Sequence, residues 1–158
     1  MENEYESDIY FCFTTQEECG LRGARVIGQR LNADIAFVLE ATTAADVPYV
    51  DKSMHCTTQG MGPAVSVMDR ASYSNKELNK FVCKTADEAG IMYQFKKSAF
   101  GGNDAGGFQT AASGAKTCVI SVPCRYIHSP VSTARQSDID GMYNLANAVL
   151  NDINKFQI

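Results

Sequence analysis

The sequence lacks several features that would place it in large classes of proteins. Its 158 residues carry 14 basic and 18 acidic side chains, a net charge of −4, so it lacks the basic excess of a nucleic-acid-binding domain. No apolar run approaches the length of a membrane span. Residues 1–6 are polar and acidic and do not resemble a signal peptide. We therefore expect a cytoplasmic protein with neither a membrane nor a nucleic acid as partner.

The sequence also lacks any pair of cysteines at C-x-x-C spacing, although it contains six cysteines. This absence argues against a thiolate zinc site. Cys12 and Cys118 lie in apolar, strand-like runs. The scattered positions favour buried free thiols in a reducing compartment. A disulfide framework and a catalytic thiol are the alternatives.

Short apolar runs alternate with helical patterns along the chain. Five runs predict strands, at residues 8–14, 34–40, 64–68, 91–95 and 117–122. Apolar residues recur at helical spacing in three stretches, at residues 21–31, 78–89 and 142–153. Strands that alternate with helices predict one α/β domain over residues 1–158, a three-layer αβα sandwich with a largely parallel mixed sheet.

The second helix carries terminal signals at both ends. Ser74-x-x-Glu77 has the pattern of a capping box, in which Ser74 is the N-cap and Glu77 reaches back to it. Gly90 is placed to end the helix.

Candidate functional residues follow the predicted strands at their carboxyl ends, where α/β proteins place their sites. Glu17 and Glu18 follow the first strand, and Glu40 ends the second. Asp104 lies in a glycine-rich loop, and His128 follows the 117–122 strand. Adjacent carboxylates can divide the work of metal binding and proton transfer. An imidazole and a further carboxylate are ligands that zinc, cobalt and manganese accept.

Each of these residues also has an ordinary structural explanation. Two glutamates at the start of a helix complement its dipole. A glycine-rich loop before a helix is often a turn or an anion site. A histidine before Ser-Pro is often a loop residue with its hydrogen bonds satisfied, and a carboxylate at a strand end can cap the next element.

At these residues the chain resembles the M42 metallo-aminopeptidases, the glutamyl aminopeptidase or TET group. The first similar motif is Thr15-Gln16-Glu17-Glu18-x-Gly20-Leu21-Arg22-Gly23-Ala24. Four more follow in the family's order: Glu40-x-Thr42-x-Ala44-x-Asp46-x-Pro48, Gly60-x-Gly62-Pro63, Gly101-Gly102-Asn103-Asp104-Ala105-Gly106 and Arg125-Tyr126-Ile127-His128-Ser129-Pro130. The similarity runs from about residue 9 to the last helix. Asn103 stands where members usually carry threonine.

The resemblance implies removal of amino-terminal residues from peptides at a site with two divalent metal ions, which are zinc, cobalt or manganese. It assigns Glu17 as the general base. Glu18 and His128 would bind one metal ion, and Glu40 would bind the other. Two further residues would shape the site or face the substrate, Asp46 and Asp104.

The resemblance covers only part of the family's pattern. Members also use an upstream histidine ligand and a carboxylate that bridges both metals, and they contain an inserted dimerisation domain. Since these are missing here, the chain resembles the carboxyl-terminal part of a catalytic domain. We expect weak metal binding and little or no activity alone, with a second copy or a complementary amino-terminal half as partner. His55 is a possible substitute ligand, although we expect it to be an exposed loop residue.

Two other functions remain open. The chain is either an enzyme or a non-enzymatic remnant or subunit that pairs with a complementary half. A glycoside hydrolase, suggested by the endoglucanase label of some family members, is the weakest alternative. Adjacent side chains such as Glu17 and Glu18 do not readily face each other across a sugar, at the separation of roughly 5 to 9.5 Å that this chemistry needs.

Overall fold

The computed structural model describes residues 7–157, and within them a mixed sheet is flanked by helices. The α-helices are Arg22–Leu31 (α1), Lys76–Glu88 (α2), Ala105–Gln109 (α3) and Gln136–Asp152 (α4). The strands are Ile35–Thr43 (β1), Ala64–Val65 (β2), Gln94–Phe95 (β3), Lys116–Arg125 (β4) and Thr133–Ala134 (β5). Single 3₁₀ turns lie at Lys52–Met54 and Ile153–Lys155.

The sheet has the strand order β1-β4-β2-β3, and the short β5 pairs with β4. β1 and β4 run parallel over nine residue pairs, from Ile35 opposite Lys116 to Thr43 opposite Cys124. β2 is antiparallel to β4 and parallel to β3. The predicted α/β fold with a largely parallel mixed sheet is therefore confirmed.

Side chains of β4 enter the core on both faces of the sheet, because successive residues of a strand point to opposite sides. Cys118 and Ile120 pack against residues of α2 and α4, among them Leu78 and Leu145. Val119 packs on the other face with β1 and α3. Helices therefore cover both faces, which gives the predicted three layers.

The predicted strand at residues 8–14 is wrong in this structure. These residues form no strand, and Phe11 and Phe13 expose 77% and 96% of their surface. A strand needs a neighbour to receive its hydrogen bonds, and β1 already uses one edge for β4. The same difference corrects the prediction for Cys12, which is exposed although its apolar neighbours predicted burial.

The other cysteines agree better with the prediction of free thiols. Cys56, Cys118 and Cys124 are buried, Cys83 is partly buried, and Cys19 is exposed. All six thiols are free. Burial raises the pKa of the Cys118 thiol well above its usual range, so this side chain behaves as a small apolar residue.

Predicted element boundaries differ from the structure where long-range contacts decide them. The strand predicted for 34–40 continues to Thr43, which places Glu40 inside β1 rather than at its end. The strands predicted for 64–68 and 91–95 shorten to two residues each.

The N-cap of α2 is Asn75 rather than Ser74, because the Asn75 side chain accepts the Leu78 N–H at 2.9 Å. The predicted capping box is therefore wrong, whereas Gly90 follows the end of α2 with a φ of 65°, as its sequence position predicted.

Among residues 7–157, no helix combines the length and the apolar character needed to cross a lipid bilayer.

Candidate active site

The loop that carries Glu17 and Glu18 is folded tightly onto the start of α1. The Gly23 N–H donates to the Thr15 carbonyl at 2.9 Å. A Cβ at Gly23 would lie 2.5 Å from the Thr15 nitrogen, so only glycine fits there. Gln16, directly before the glutamates, has a φ of 58°. The loop therefore presents both carboxylates from a constrained backbone.

Glu18 and His128 meet at the surface of the site. Glu18 Oε1 lies 2.9 Å from His128 Nε2, and both side chains are largely exposed. His128 lies in the loop after β4, where Tyr126 and His128 have φ values of 61° and 62°. Left-handed backbone at residues other than glycine is costly and clusters at functional sites, so this loop is built to hold the imidazole in place.

Glu40 is the most strongly perturbed carboxyl group in the site. Burial raises its pKa from 4.5 to about 7, and the charges of Glu17 and Asp69 act in the same direction. Ser121 Oγ, on the neighbouring β4, donates to Glu40 Oε1 at 3.0 Å and opposes the increase, as does the charge of Lys96. Glu40 therefore changes its protonation state near neutral pH.

The pKa of Glu17 is also raised, but the neighbouring charges that contribute are different. Burial contributes most, followed by the negative charges of Glu18 and Asp104, while His128 lowers it. A carboxylate whose pKa is shifted towards neutrality is suited to take up and release a proton during a reaction.

Asp104 is a buried carboxylate immediately before α3. Its Oδ2 accepts the Thr14 hydroxyl at 2.5 Å. Its Oδ1 has no hydrogen-bond partner among residues 7–157, although Asp104 is almost fully buried. A buried oxygen without a donor is costly. Asp104 as a residue also contributes to the lining of the cavity described below.

A network around Asp69 holds the glycine-rich loop that carries Asp104. Asp69 accepts hydrogen bonds from the backbone N–H groups of Ala71 and Ser72 and from the Asn103 side chain, each at 2.7 Å. A Cβ at Gly106 would lie 2.6 Å from the Ala71 carbonyl oxygen. Sequence reasoning missed Asp69, although an aspartate whose side chain accepts from the N–H groups two and three residues on is a local turn motif.

Five of the candidate residues from the sequence line one cavity of about 1250 Å³. Its lining includes Glu17, Glu18, Glu40, Asp104 and His128. The sequence led us to expect that these side chains gather at one rim, although no strand among residues 7–157 precedes Glu17 and Glu18, and Glu40 lies inside β1.

Asp46, by contrast, is engaged outside the group that lines this cavity. Its two carboxylate oxygens accept from Arg125 Nε and Nη2 at 2.8 and 2.9 Å, and the Gln59 N–H donates to it as well. The Arg125 guanidinium holds the pKa of Asp46 below its usual range. Asp46 thus holds Arg125, the last residue of β4, and both of its carboxylate oxygens are engaged in hydrogen bonds.

His55 lines the cavity and is half-buried, so it is not the fully exposed loop residue that the sequence predicted. Its Nε2 lies 3.3 Å from the Val50 carbonyl oxygen. One of the two ring nitrogens is therefore occupied by a backbone group and not by a carboxylate of the site.

The donors of the site match a divalent metal ion only in part. The Glu18 carboxylate and the His128 imidazole are a suitable pair of ligands for zinc, cobalt or manganese. Within residues 7–157, however, no three histidine, cysteine or acidic side chains are grouped closely enough to hold an ion. Among the described residues, Glu18 and His128 are therefore a pair without a third donor close enough to hold an ion.

A family model described as M42 glutamyl aminopeptidase matches residues 1–145. The chain belongs to this family. The lysyl aminopeptidase of Pyrococcus furiosus is 35% identical over 151 residues, which cover 95% of this chain and 42% of that protein. The M42 membership agrees with the order of the sequence motifs and with the position of the acidic residues around the cavity.

Solved structures of peptidases have the same fold over the matched residues. An aminopeptidase from the archaeon Desulfurococcus kamchatkensis matches with a TM-score of 0.85 and 33% identity, over 88% of this chain and 40% of that one. The Pyrococcus horikoshii TET1 peptidase, which can assemble into a tetrahedron or a large octahedral shell, matches with a TM-score of 0.74 and 30% identity, over 87% and 39% of the two chains. The chain thus spans about two fifths of the length of these relatives.

Proposed function

We propose that this chain supplies part of the active site of an M42 aminopeptidase, which removes amino-terminal residues from peptides. The observation that carries the proposal is the shared cavity, to which separate parts of the chain contribute Glu17, Glu18, Glu40, Asp104 and His128. The 1–158 chain then corresponds to the carboxyl-terminal part of the catalytic domain.

Glu17 is the general base in this proposal. Its raised pKa suits a carboxylate that takes a proton from the attacking water and delivers it to the leaving amine. Asp104, which lines the cavity, shapes the site or faces the substrate in this proposal. Asp46 holds the end of β4 in position through Arg125.

Glu18 and His128 are the proposed ligands of one divalent ion, and Glu40 is the proposed ligand of a second. Zinc, cobalt and manganese all suit these donors. When bound, such ions polarise the scissile carbonyl group of a peptide. Because the described donors do not form a group of three, we propose that further ligands come from a part of the M42 domain outside this chain.

Zinc titration by calorimetry tests the metal assignment on this chain. We expect weak binding, because each ion has too few protein ligands here. Glu18→Gln and His128→Ala should each weaken it at least about tenfold, since loss of supporting groups alone costs about 10- to 100-fold in metal sites.

His55→Ala is the matched control, because it removes an imidazole that lines the same cavity but is not a proposed ligand. An equal loss of affinity in His55→Ala would contradict the assignment of His128. A tight two-site isotherm for the unmodified chain would contradict the view that the site is incomplete.

An activity assay tests the reaction class. We expect little or no hydrolysis of an aminoacyl anilide by this chain alone. When the rest of an M42 domain restores activity, Glu17→Gln should abolish it. Hydrolysis of cellulose, with the aminoacyl anilide left intact, would favour the glycoside hydrolase instead.

A non-enzymatic subunit is the second candidate. The partial metal site and the exposed apolar residues at 10–13 favour a chain that pairs with a complementary half or with its own copies. The assemblies formed by the Pyrococcus horikoshii TET1 peptidase support the proposal of a homo-oligomer. The free thiols support a reducing, cytoplasmic location.

A further inference from the structure

The loop that carries His128 connects β4 to β5 and lies at the surface. β4 ends at Arg125 and β5 begins at Thr133, and the two strands pair over two residues each, Cys124 with Ala134 and Arg125 with Thr133. β5 is exposed along its whole length. So short a pairing is a weak support for a loop, and other contacts must keep the imidazole beside its carboxylate partner.

The side chain of Gln59 joins the two strands at the base of this loop. Its Nε2 donates to the Thr133 carbonyl on β5 and, at 3.4 Å, to the Pro123 carbonyl on β4. A glutamine amide has two N–H groups, so it can give one to each strand. If the amide were turned over, its oxygen would face two carbonyl oxygens. The two carbonyl partners therefore fix the orientation of the amide.

The backbone of Gln59 supports the same loop from a second direction. Its N–H donates to Asp46 Oδ2 at 2.9 Å. The Asp46 carboxylate in turn accepts from Nε and Nη2 of Arg125, the residue directly before the loop. Gln59 thus contacts the strand before the loop, the strand after it and the carboxylate that holds Arg125.

The residues on either side of Gln59 are fixed to the body of the fold. The Gln94 side chain accepts the Thr58 N–H and donates to the Thr58 carbonyl, both at 2.9 Å. The buried carboxylate of Asp138, in the first turn of α4, accepts the Gly60 N–H at 2.7 Å. A side chain whose backbone is fixed on both sides can hold the loop in place rather than move with it.

The backbone of the loop needs such support. Tyr126 and His128 both have left-handed backbone, which is costly for residues other than glycine and persists where the surrounding structure enforces it. Ser129 Oγ lies 2.6 Å from the Tyr126 carbonyl oxygen, but this contact is internal to the loop. The position of the imidazole relative to Glu18 therefore depends on how the base of the loop is held.

We propose that Gln59 is a positioning residue for His128. By joining β4, β5 and Asp46, it holds the loop so that His128 Nε2 stays within hydrogen-bond distance of Glu18 Oε1. The role of His128 as a metal ligand rests on the proposed function. The positioning of its loop does not, since the contacts that carry it involve neither a metal nor a substrate.

NMR relaxation measured on the 158-residue chain tests the proposal directly. Gln59→Met keeps the length of the side chain but removes both of its donors. The backbone order parameter of His128 should fall from about 0.85, the value of rigid backbone, to about 0.6 or less, the range of a flexible segment. The order parameter of Ile120, which is fully buried in β4, should not change.

Gln29→Met is the matched control, because Gln29 Oε1 also makes a long-range hydrogen bond, with the Ala112 N–H at 2.9 Å, outside this loop. It should leave the order parameter of His128 unchanged. Gln59→Glu is a second variant. Its carboxylate has no proton to donate to the Thr133 carbonyl, so it should loosen the loop at least as much as Gln59→Met does.

Zinc titration adds a readout that a general loss of stability would not change. Gln59→Met should weaken zinc binding about tenfold, because loss of a supporting group in a metal site costs about 10- to 100-fold. Gln29→Met should leave zinc binding unchanged, even where its melting temperature falls as much as that of Gln59→Met.

Two results would overturn the proposal. One is an order parameter of His128 that Gln59→Met leaves unchanged, and the other is an equal decrease in Gln29→Met. A loop that loosens in Gln59→Met, in a chain whose zinc affinity His128→Ala does not alter, would support the positioning role and contradict His128 as a metal ligand. Failure of this inference is therefore distinct from failure of the proposed function.

Discussion

Glu40 lies in the middle of a strand, and this position determines how its carboxyl group titrates. The strand carries the side chain into a half-buried place beside Ser121, and burial raises its pKa to about 7. A carboxyl group with a higher pKa in the folded than in the unfolded chain binds more protons when folded. The free energy of unfolding should therefore decrease as the pH rises from about 4.5 to about 7, and then level off.

Glu40→Gln should remove this decrease, because glutamine has no charge to lose and still accepts the Ser121 hydroxyl. The variant should gain free energy of unfolding over the unmodified chain, and this gain should be about 1–2 kcal/mol larger at pH 8 than at pH 5. That difference is below the limit of about 3 kcal/mol that the pKa shift of Glu40 sets. Urea unfolding at the two pH values measures it.

Glu88→Gln is the control for this measurement, because Glu88 is exposed on α2 and makes only a surface ion pair with Lys84. Its effect on stability should be the same at both pH values. An identical pH dependence of Glu40→Gln and the unmodified chain would show that Glu40 titrates at its usual pKa.

At the scale of single elements, the start of α2 shows how two neighbouring polar residues differ in their contribution. Asn75 accepts the Leu78 N–H, whereas Ser74 Oγ is buried without a hydrogen-bond partner among residues 7–157. Only a side chain that satisfies a free N–H group of the first turn stabilises the helix.

Asn75→Ala should lower the free energy of unfolding by about 1 kcal/mol, which is the usual contribution of an N-cap side chain. Ser74→Ala should change it by a few tenths of a kcal/mol at most, because no hydrogen bond of the hydroxyl group is lost. Thermal or urea unfolding of the two variants compares them directly. The reverse order of the two losses would restore the capping box with Ser74 as N-cap.

At the scale of the whole molecule, stability is concentrated in the part of the sheet that helices cover on both faces. Val119 and Ile120 of β4 are fully buried and lie between two paired neighbours, whereas residues 9–14 form no strand. Local opening is expected where few apolar contacts and few backbone hydrogen bonds resist it.

Hydrogen exchange measured by mass spectrometry should show this difference in the isolated chain. Peptides from residues 9–14 should exchange within the earliest time points, and peptides from residues 118–122 should exchange last. α4, which packs on β4 through Leu145 and Val149, serves as an internal reference of intermediate protection. Slow exchange of residues 9–14 in a monomeric chain would mean that the segment is already paired.

The positions of candidate site residues next to helices and strands could be predicted where they depend only on neighbouring residues in the sequence. Glu17 and Glu18 precede α1, and His128 follows β4, as the apolar patterns indicated. The partners of each carboxylate did not follow, because they come from distant parts of the chain. Arg125 binds Asp46 from 79 residues away, and Thr14 binds Asp104 from 90 residues away.

What the sequence determined by itself is the three longer helices, α1, α2 and α4, and the long buried strands β1 and β4, since periodicity and end signals such as Gly90 act within a few residues. The motif order also determined the M42 family. Only the tertiary structure decided which strands pair, which oxygens are satisfied and which apolar side chains remain uncovered. Residues 9–14 have the composition of a buried strand, but a strand exists only where a neighbour accepts its hydrogen bonds, and residues 7–157 place none beside them.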